Sequence, residues 1–127
     1  MMKEIKTDQA PAALGPYSQG IQTGNLVYLS GQLGLDPQTG NLKEGLEAQT
    51  HQAFANIKAL LESQGLTLGN VVKVLVLLAD IKDFGPVNDI YADYFQEPYP
   101  ARSAFAVKDL PKGGLVEIEV IAEADEK

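Results

Sequence analysis

At 127 residues, 45% of them apolar and 21% charged, the chain has the composition of one ordinary globular domain, too short for two cores. Seventeen acidic residues against ten basic ones leave a net charge of −7, which argues against a broad nucleic-acid footprint, because that needs clustered Lys and Arg to displace counterions. Zero cysteines exclude disulfides, zinc–thiolate sites and thiol nucleophiles, and a single histidine, His51, excludes histidine-rich metal cages.

The amino terminus, Met1-Met2-Lys3-Glu4-Ile5-Lys6, lacks the apolar core of a signal peptide. No run approaches the ~18 apolar residues of a membrane span, so a cytoplasmic location is expected. Ile21 to Gly31 reads as a β-hairpin around Gly24-Asn25, a pair that accepts the positive φ of a tight turn. Leu33 to Leu42 carries Asp36-Pro37 and Thr39-Gly40-Asn41 and reads as loop. Leu46, Thr50, Ala53, Phe54, Ile57, Leu60 and Leu61 then recur at three- and four-residue spacing, the period of an amphipathic helix, with Gly65 as its stop. His51 falls on the polar side of that helix, where an exposed side chain is expected.

Asn70 to Ala79 is nearly continuous Val and Leu and predicts a strand buried on both faces. Asp83 is placed to cap a second helix reaching about Gln96, with Pro86 in its first turn and Val87, Ile90, Tyr91, Tyr94 and Phe95 as its apolar set. After Pro98-Tyr99-Pro100, Arg102 to Val107 reads as a strand, Leu110 to Gly114 as a loop and Leu115 to Ala122 as the last strand. A short acidic tail, Glu123 to Lys127, follows. This order predicts a single α+β domain over residues 1–127: a mixed β-sheet with two helices packed on one face. The second face of the central strand then wants cover, and another subunit is the economical source.

Arg102 is the only arginine; the other basic residues are lysines. A guanidinium offers a planar fork that grips a carboxylate bidentately and stays charged, which an ammonium cannot imitate. On the last strand Glu117 and Glu119 alternate with Val116, Ile118 and Val120. If the last two strands pair, Arg102 and Glu117 share the face away from the helices, beside the expected subunit contact, where Ala104 and Ala106 leave room for a cleft. One cation to orient a carboxylate substrate and one carboxylate to handle a water would suit hydrolysis. An ion pair between subunits is the alternative for the same two residues.

Gly15-Pro16-Tyr17-Ser18-Gln19-Gly20, Val27-Tyr28-Leu29-Ser30-Gly31-Gln32 and Pro100-Ala101-Arg102-Ser103 followed by Val116-Glu117-Ile118 together resemble the RidA (reactive intermediate deaminase A, also YjgF) family over essentially the whole chain. The resemblance implies a chorismate-mutase-like subunit, a homotrimer with clefts between subunits, and cofactor-independent, metal-free hydrolysis of enamine and imine intermediates such as 2-iminobutanoate and 2-iminopropanoate. It implies that Arg102 clamps the substrate carboxylate and that Glu117 positions or activates water. Tyr17, Ser30, Gly31 and Asn88 would line the pocket, the Gly31 backbone at the carboxylate end. Ala104 stands where many members have cysteine: if that position acts through its backbone, activity should survive, and if the thiol serves regulation or oxidation, that layer is missing here. Two other readings remain beside it: an oligomeric module that binds 2-oxo acids without turnover, and an endoribonuclease or translation inhibitor, against which the acidic composition counts.

Overall fold

The computed structural model describes residues 1–125. The amino-terminal strand β1 (Lys3–Ile5) is followed by β2 (Gly20–Thr23) and β3 (Leu26–Leu29), which form the expected hairpin with Thr23 opposite Leu26. Gly24 sits in the turn at φ 60°, a left-handed conformation that glycine adopts without a Cβ penalty. Gln32–Leu33 form a two-residue strand β4, where the sequence reads as loop from Leu33 onward; the turn chemistry of Asp36 to Asn41 follows it.

Helix α1 (Leu46–Glu62) ends as its glycine requires. Gly65 takes φ 74°, the Leu66 N–H reaches the Leu61 carbonyl and the Gly65 N–H reaches that of Glu62, which together satisfy two terminal carbonyls. Its apolar stripe (Ala53, Phe54, Ile57, Leu60 and Leu61) is fully buried. Each of the larger side chains contributes about 1.5–3 kcal/mol of burial free energy. Its buried polar residues tie down the loops around the sheet. Asn56 Nδ2 donates to the carbonyls of Leu33 and Leu35 (3.2 and 2.9 Å). Gln49 donates to the Lys43 carbonyl (3.0 Å) and accepts from the Leu115 N–H (2.9 Å).

Strand β5 (Val71–Leu78) runs through the middle of the sheet. Its burial alternates: Val74, Val76 and Leu78 are buried under the helices, whereas Lys73, Leu75 and Leu77 are half-buried on the other face. The expectation of a strand buried on both faces therefore does not hold within one chain, because both helices cover the same side. Helix α2 (Phe84–Ala92) is shorter than predicted. The Asp93 N–H closes onto the Ile90 carbonyl and the Tyr94 N–H onto that of Tyr91, and Tyr94 and Phe95 reach the core from the turn beyond. Asp83 precedes the helix but makes no side-chain cap.

Strands β6 (Ala101–Ala106) and β7 (Val116–Glu123) complete a sheet ordered β1-β2-β3-β7-β5-β6, with β4 also pairing to β7. All pairs are antiparallel except β5 with β6, whose parallel register needs a crossover, supplied by α2. The mixed α+β architecture with two helices on one face is thus observed. Glu123 closes β7, so the expected acidic tail begins inside the strand, and Glu126 and Lys127 lie outside the described residues. Among the described residues no helix is long and apolar enough to cross a membrane.

Candidate active site

Tyr17, Ser30, Gly31 and Glu117 come together. They share a cavity of about 350 Å3 between the loop preceding β2, the β3–β4 junction and β7, which Lys112 also lines. The loop is anchored from below by buried Gln19. Its side chain donates to the carbonyls of Thr7 and Pro11 (3.0 and 2.8 Å) and accepts from the Thr7 N–H (2.7 Å). With Gln19 turned inward, Tyr17 is left 56% exposed at the cavity mouth. Ser30 donates through Oγ to the Ser18 carbonyl (2.6 Å), holding the loop against β3.

Glu117 is paired with Leu77 on one side and Leu33 on the other, on the sheet face away from the helices. Burial, reinforced by the neighbouring Glu119 carboxylate, raises its pKa above the ordinary carboxylate range. Its carboxyl lies against the Gly31 backbone so closely that a Cβ at position 31 would overlap Oε2 and lie 3.0 Å from Cδ. Any larger residue there would push the Glu117 carboxyl aside, so the glycine is what lets the acid lie in this position. The result is a carboxyl of raised pKa facing a cavity, the property that a group exchanging protons near neutral pH needs.

Arg102 lies elsewhere. Strand β5 is inserted between β6 and β7, so the two strands that the sequence reading paired are not neighbours. Arg102 pairs with Val74 and so shares the helix-covered side, while Glu117 pairs with Leu77 on the opposite side. The expectation that the two share one face is corrected here. Three residues along β5 and two strand spacings separate their backbones by about 14 Å, on opposite faces. Ala104, paired with Val76, also turns to the helix side and packs half-buried against the core.

Around Arg102 the helix α2 builds a second half-site. Its NH1 donates to Asn88 Oδ1 at 2.7 Å, and the guanidinium carbon lies 4.6 Å from the ring centroid of Tyr91 and 5.4 Å from that of Phe84. Asn88, Tyr91, Tyr99, Pro100 and Arg102 line a cavity of about 390 Å3. Tyr91 and Phe84 escaped the sequence reading, which assigned Tyr91 to the core alone. The detectable signal is their spacing: Phe84, Asn88 and Tyr91 fall at i, i+4 and i+7, one face of a helix. His51, exposed as expected, is joined through Nδ1 to the Tyr94 hydroxyl at 2.6 Å and takes no part in either half-site. Among the described residues no cluster of three or more His, Asp or Glu side chains is arranged to hold a metal ion.

The chain is similar to known proteins over nearly its whole length. Residues 7–124 match the family model described as Endoribonuclease L-PSP. A bovine protein named 2-iminobutanoate/2-iminopropanoate deaminase is 53% identical over 121 residues, which span 94% of this chain and 88% of that one. The crystal structure of RidA from an Antarctic Psychrobacter superposes with a TM-score of 0.92 at 53% identity, covering 95% of this chain and 98% of the other. The structure of Escherichia coli TdcF with bound serine superposes with a TM-score of 0.91 at 39% identity, over 97% and 99% of the two chains.

Proposed function

The chain belongs to the Endoribonuclease L-PSP (RidA/YjgF) family, and from that premise we propose that it is a 2-iminobutanoate/2-iminopropanoate deaminase acting in the cytoplasm. The reaction adds water across the C=N bond of a 2-imino acid. A hydroxyl adds to the carbon, the nitrogen takes a proton, and collapse of the carbinolamine expels ammonia to leave the 2-oxo acid. An imine carbon is already electrophilic, so the protein has to orient the substrate and move a proton rather than furnish a strong nucleophile. Arg102 grips the substrate carboxylate with the part of its fork that Asn88 leaves free. Glu117 takes a proton from the attacking water and returns one to the departing nitrogen, roles suited by its raised pKa. Tyr17, Ser30 and the Gly31 backbone complete the walls beside Glu117, and Ala104, whose side chain packs against the core, is left only its backbone to offer.

The carrying observation is the separation of the two half-sites. A small imino acid cannot reach from Arg102 to Glu117 within one chain, so the working cleft forms where the Arg102 half of one subunit meets the Glu117 half of another. β6 supports this arrangement. It is an edge strand with Ser103 and Phe105 exposed and its outer backbone groups unpaired by any strand among the described residues, an edge that proteins cover. A homotrimer closes three such clefts by repeating one heterologous contact. The net charge of −7 favours a small anionic substrate gripped by a single cation over extended contact with RNA.

The test generates the imine with an amino-acid oxidase or a threonine dehydratase and traps it with semicarbazide. Wild-type protein is expected to suppress trapping and Arg102→Ala to leave it intact. Suppression by both variants would remove Arg102 from the site; suppression by neither would remove the deaminase reading. Sedimentation equilibrium checks the assembly, and a monomer at assay concentration would refute the shared cleft.

A further inference from the structure

Resting on the deaminase reading for its substrate class, we infer that Tyr91, assisted by Phe84, is a positioning residue that sets the plane in which Arg102 presents its fork. An exposed arginine on an edge strand has four rotatable side-chain bonds and loses their rotamer freedom on binding an anion. Here that freedom is restricted beforehand. Asn88 holds one nitrogen at 2.7 Å, and two ring faces lie within cation–π range of the guanidinium carbon, at 4.6 Å for Tyr91 and 5.4 Å for Phe84. All three side chains come from one face of α2, so the helix acts as a cradle one turn above the strand.

Tyr91 can hold that position because it is itself immobile. It is only 6% exposed and is packed between Phe95, with ring centroids 4.7 Å apart, and Phe54, edge-on at 6.1 Å. Its hydroxyl is buried and finds no hydrogen-bond partner among the described residues. The phenol contributes its ring face to Arg102, and no hydrogen bond of the hydroxyl fixes the ring. Burial keeps the hydroxyl neutral against the opposing pull of Arg102, so the ring under the guanidinium carries no charge of its own through the working pH range.

The experiment compares Tyr91→Phe, Tyr91→Leu and Phe84→Leu in two readouts: binding of 2-oxobutanoate by calorimetry, and the KM–kcat split for 2-iminopropanoate. Tyr91→Leu also opens the core, so Phe84→Leu, at a more exposed position, keeps the test independent of folding. Both leucine variants are expected to weaken 2-oxobutanoate binding and raise KM by about 3- to 30-fold, the larger effect at Tyr91, with kcat changed less. Tyr91→Phe is expected to stay within about twofold of wild type. Unchanged affinity in both leucine variants would overturn the inference, as would an equal loss in Tyr91→Phe, which would place the function in the hydroxyl. A wild-type protein that binds 2-oxobutanoate but hydrolyses no imine would refute the deaminase reading and leave the cradle standing. One that binds neither would remove the anion and the inference with it.

Discussion

Gly31→Ala separates activity from stability in a way that the geometry of Glu117 makes quantitative. The added methyl would overlap Oε2 of Glu117 and approach its Cδ and Cγ to 3.0 and 3.2 Å. Ordinary contact begins near 3.5 Å, so the carboxyl has to move by about 1 Å or more. The atoms that must yield are the far end of a rotatable side chain, and strain is therefore relieved by rotating Glu117 rather than by shifting β7. The stability loss should sit near the lower end of the overpacking range, about 1 kcal/mol. Activity has no such escape, because displacement of an acid–base group by about 1 Å costs on the order of 10²-fold. The variant should therefore unfold within about 5 °C of wild type and lose roughly two orders of magnitude in kcat/KM for 2-iminopropanoate. Its acid limb should also move to lower pH, since a carboxyl pushed toward solvent escapes the burial that raises its pKa. Wild-type kcat/KM in a folded Gly31→Ala protein would refute the placement of Glu117 in the reaction.

Three further outcomes follow from the same geometry. Glu117→Gln should abolish turnover, with 2-oxobutanoate binding in calorimetry within about threefold of wild type. A buried carboxyl whose pKa is raised stabilises the fold while protonated and loses that contribution as pH rises through the raised value, so the Tm difference, variant minus wild type, should be more positive at pH 7 than at pH 4. Arg102→Lys should lower kcat/KM by about 10²-fold, chiefly through KM, because a point charge cannot replace the fork that Asn88 holds. Gly34→Ala should be the most destabilising of the set. Its Cβ would lie 2.5 Å from the Cα and the carbonyl oxygen of Gln49, backbone atoms with no rotamer to change. A loss of about 3 kcal/mol and a Tm roughly 10 °C lower are expected in thermal denaturation.

The buried polar side chains explain how a sheet with a short, two-residue β4 presents Glu117 reproducibly. Gln49 receives the Leu115 N–H just before β7 begins, and Asn56 grips the carbonyls of Leu33, the last residue of β4, and of Leu35 just beyond it. Both come from α1, so the strand bearing the acid and the strand packed beside it are set by one helix. Removing either amide would leave buried backbone groups without partners, a cost of about 1–3 kcal/mol each.

Short-range physics was legible from the residues alone. The Gly24-Asn25 hairpin, the amphipathic period of α1 and its stop at Gly65 are decided by φ preference and three- to four-residue spacing, which a few neighbouring residues carry. The lone Arg102, the acid-bearing last strand and the family motifs are equally local. The amino-terminal strand β1 was missed because three residues with two charges carry no period. The early end of α2 was missed because its apolar spacing runs on to Tyr94 and Phe95, which reach the core from the turn beyond the helix. The face on which Arg102 lies belongs wholly to the tertiary structure. Alternation separates a strand into two faces but says nothing about which strand lies beside it. Once β5 enters between β6 and β7, every residue of β6 is referred to β5 instead of to β7, and Arg102 is set beside Val74 rather than beside Glu117. Strand order is settled by which apolar surfaces bury each other across long loops, and that competition placed the guanidinium over Tyr91 and the carboxyl against Gly31, on opposite sides of one sheet.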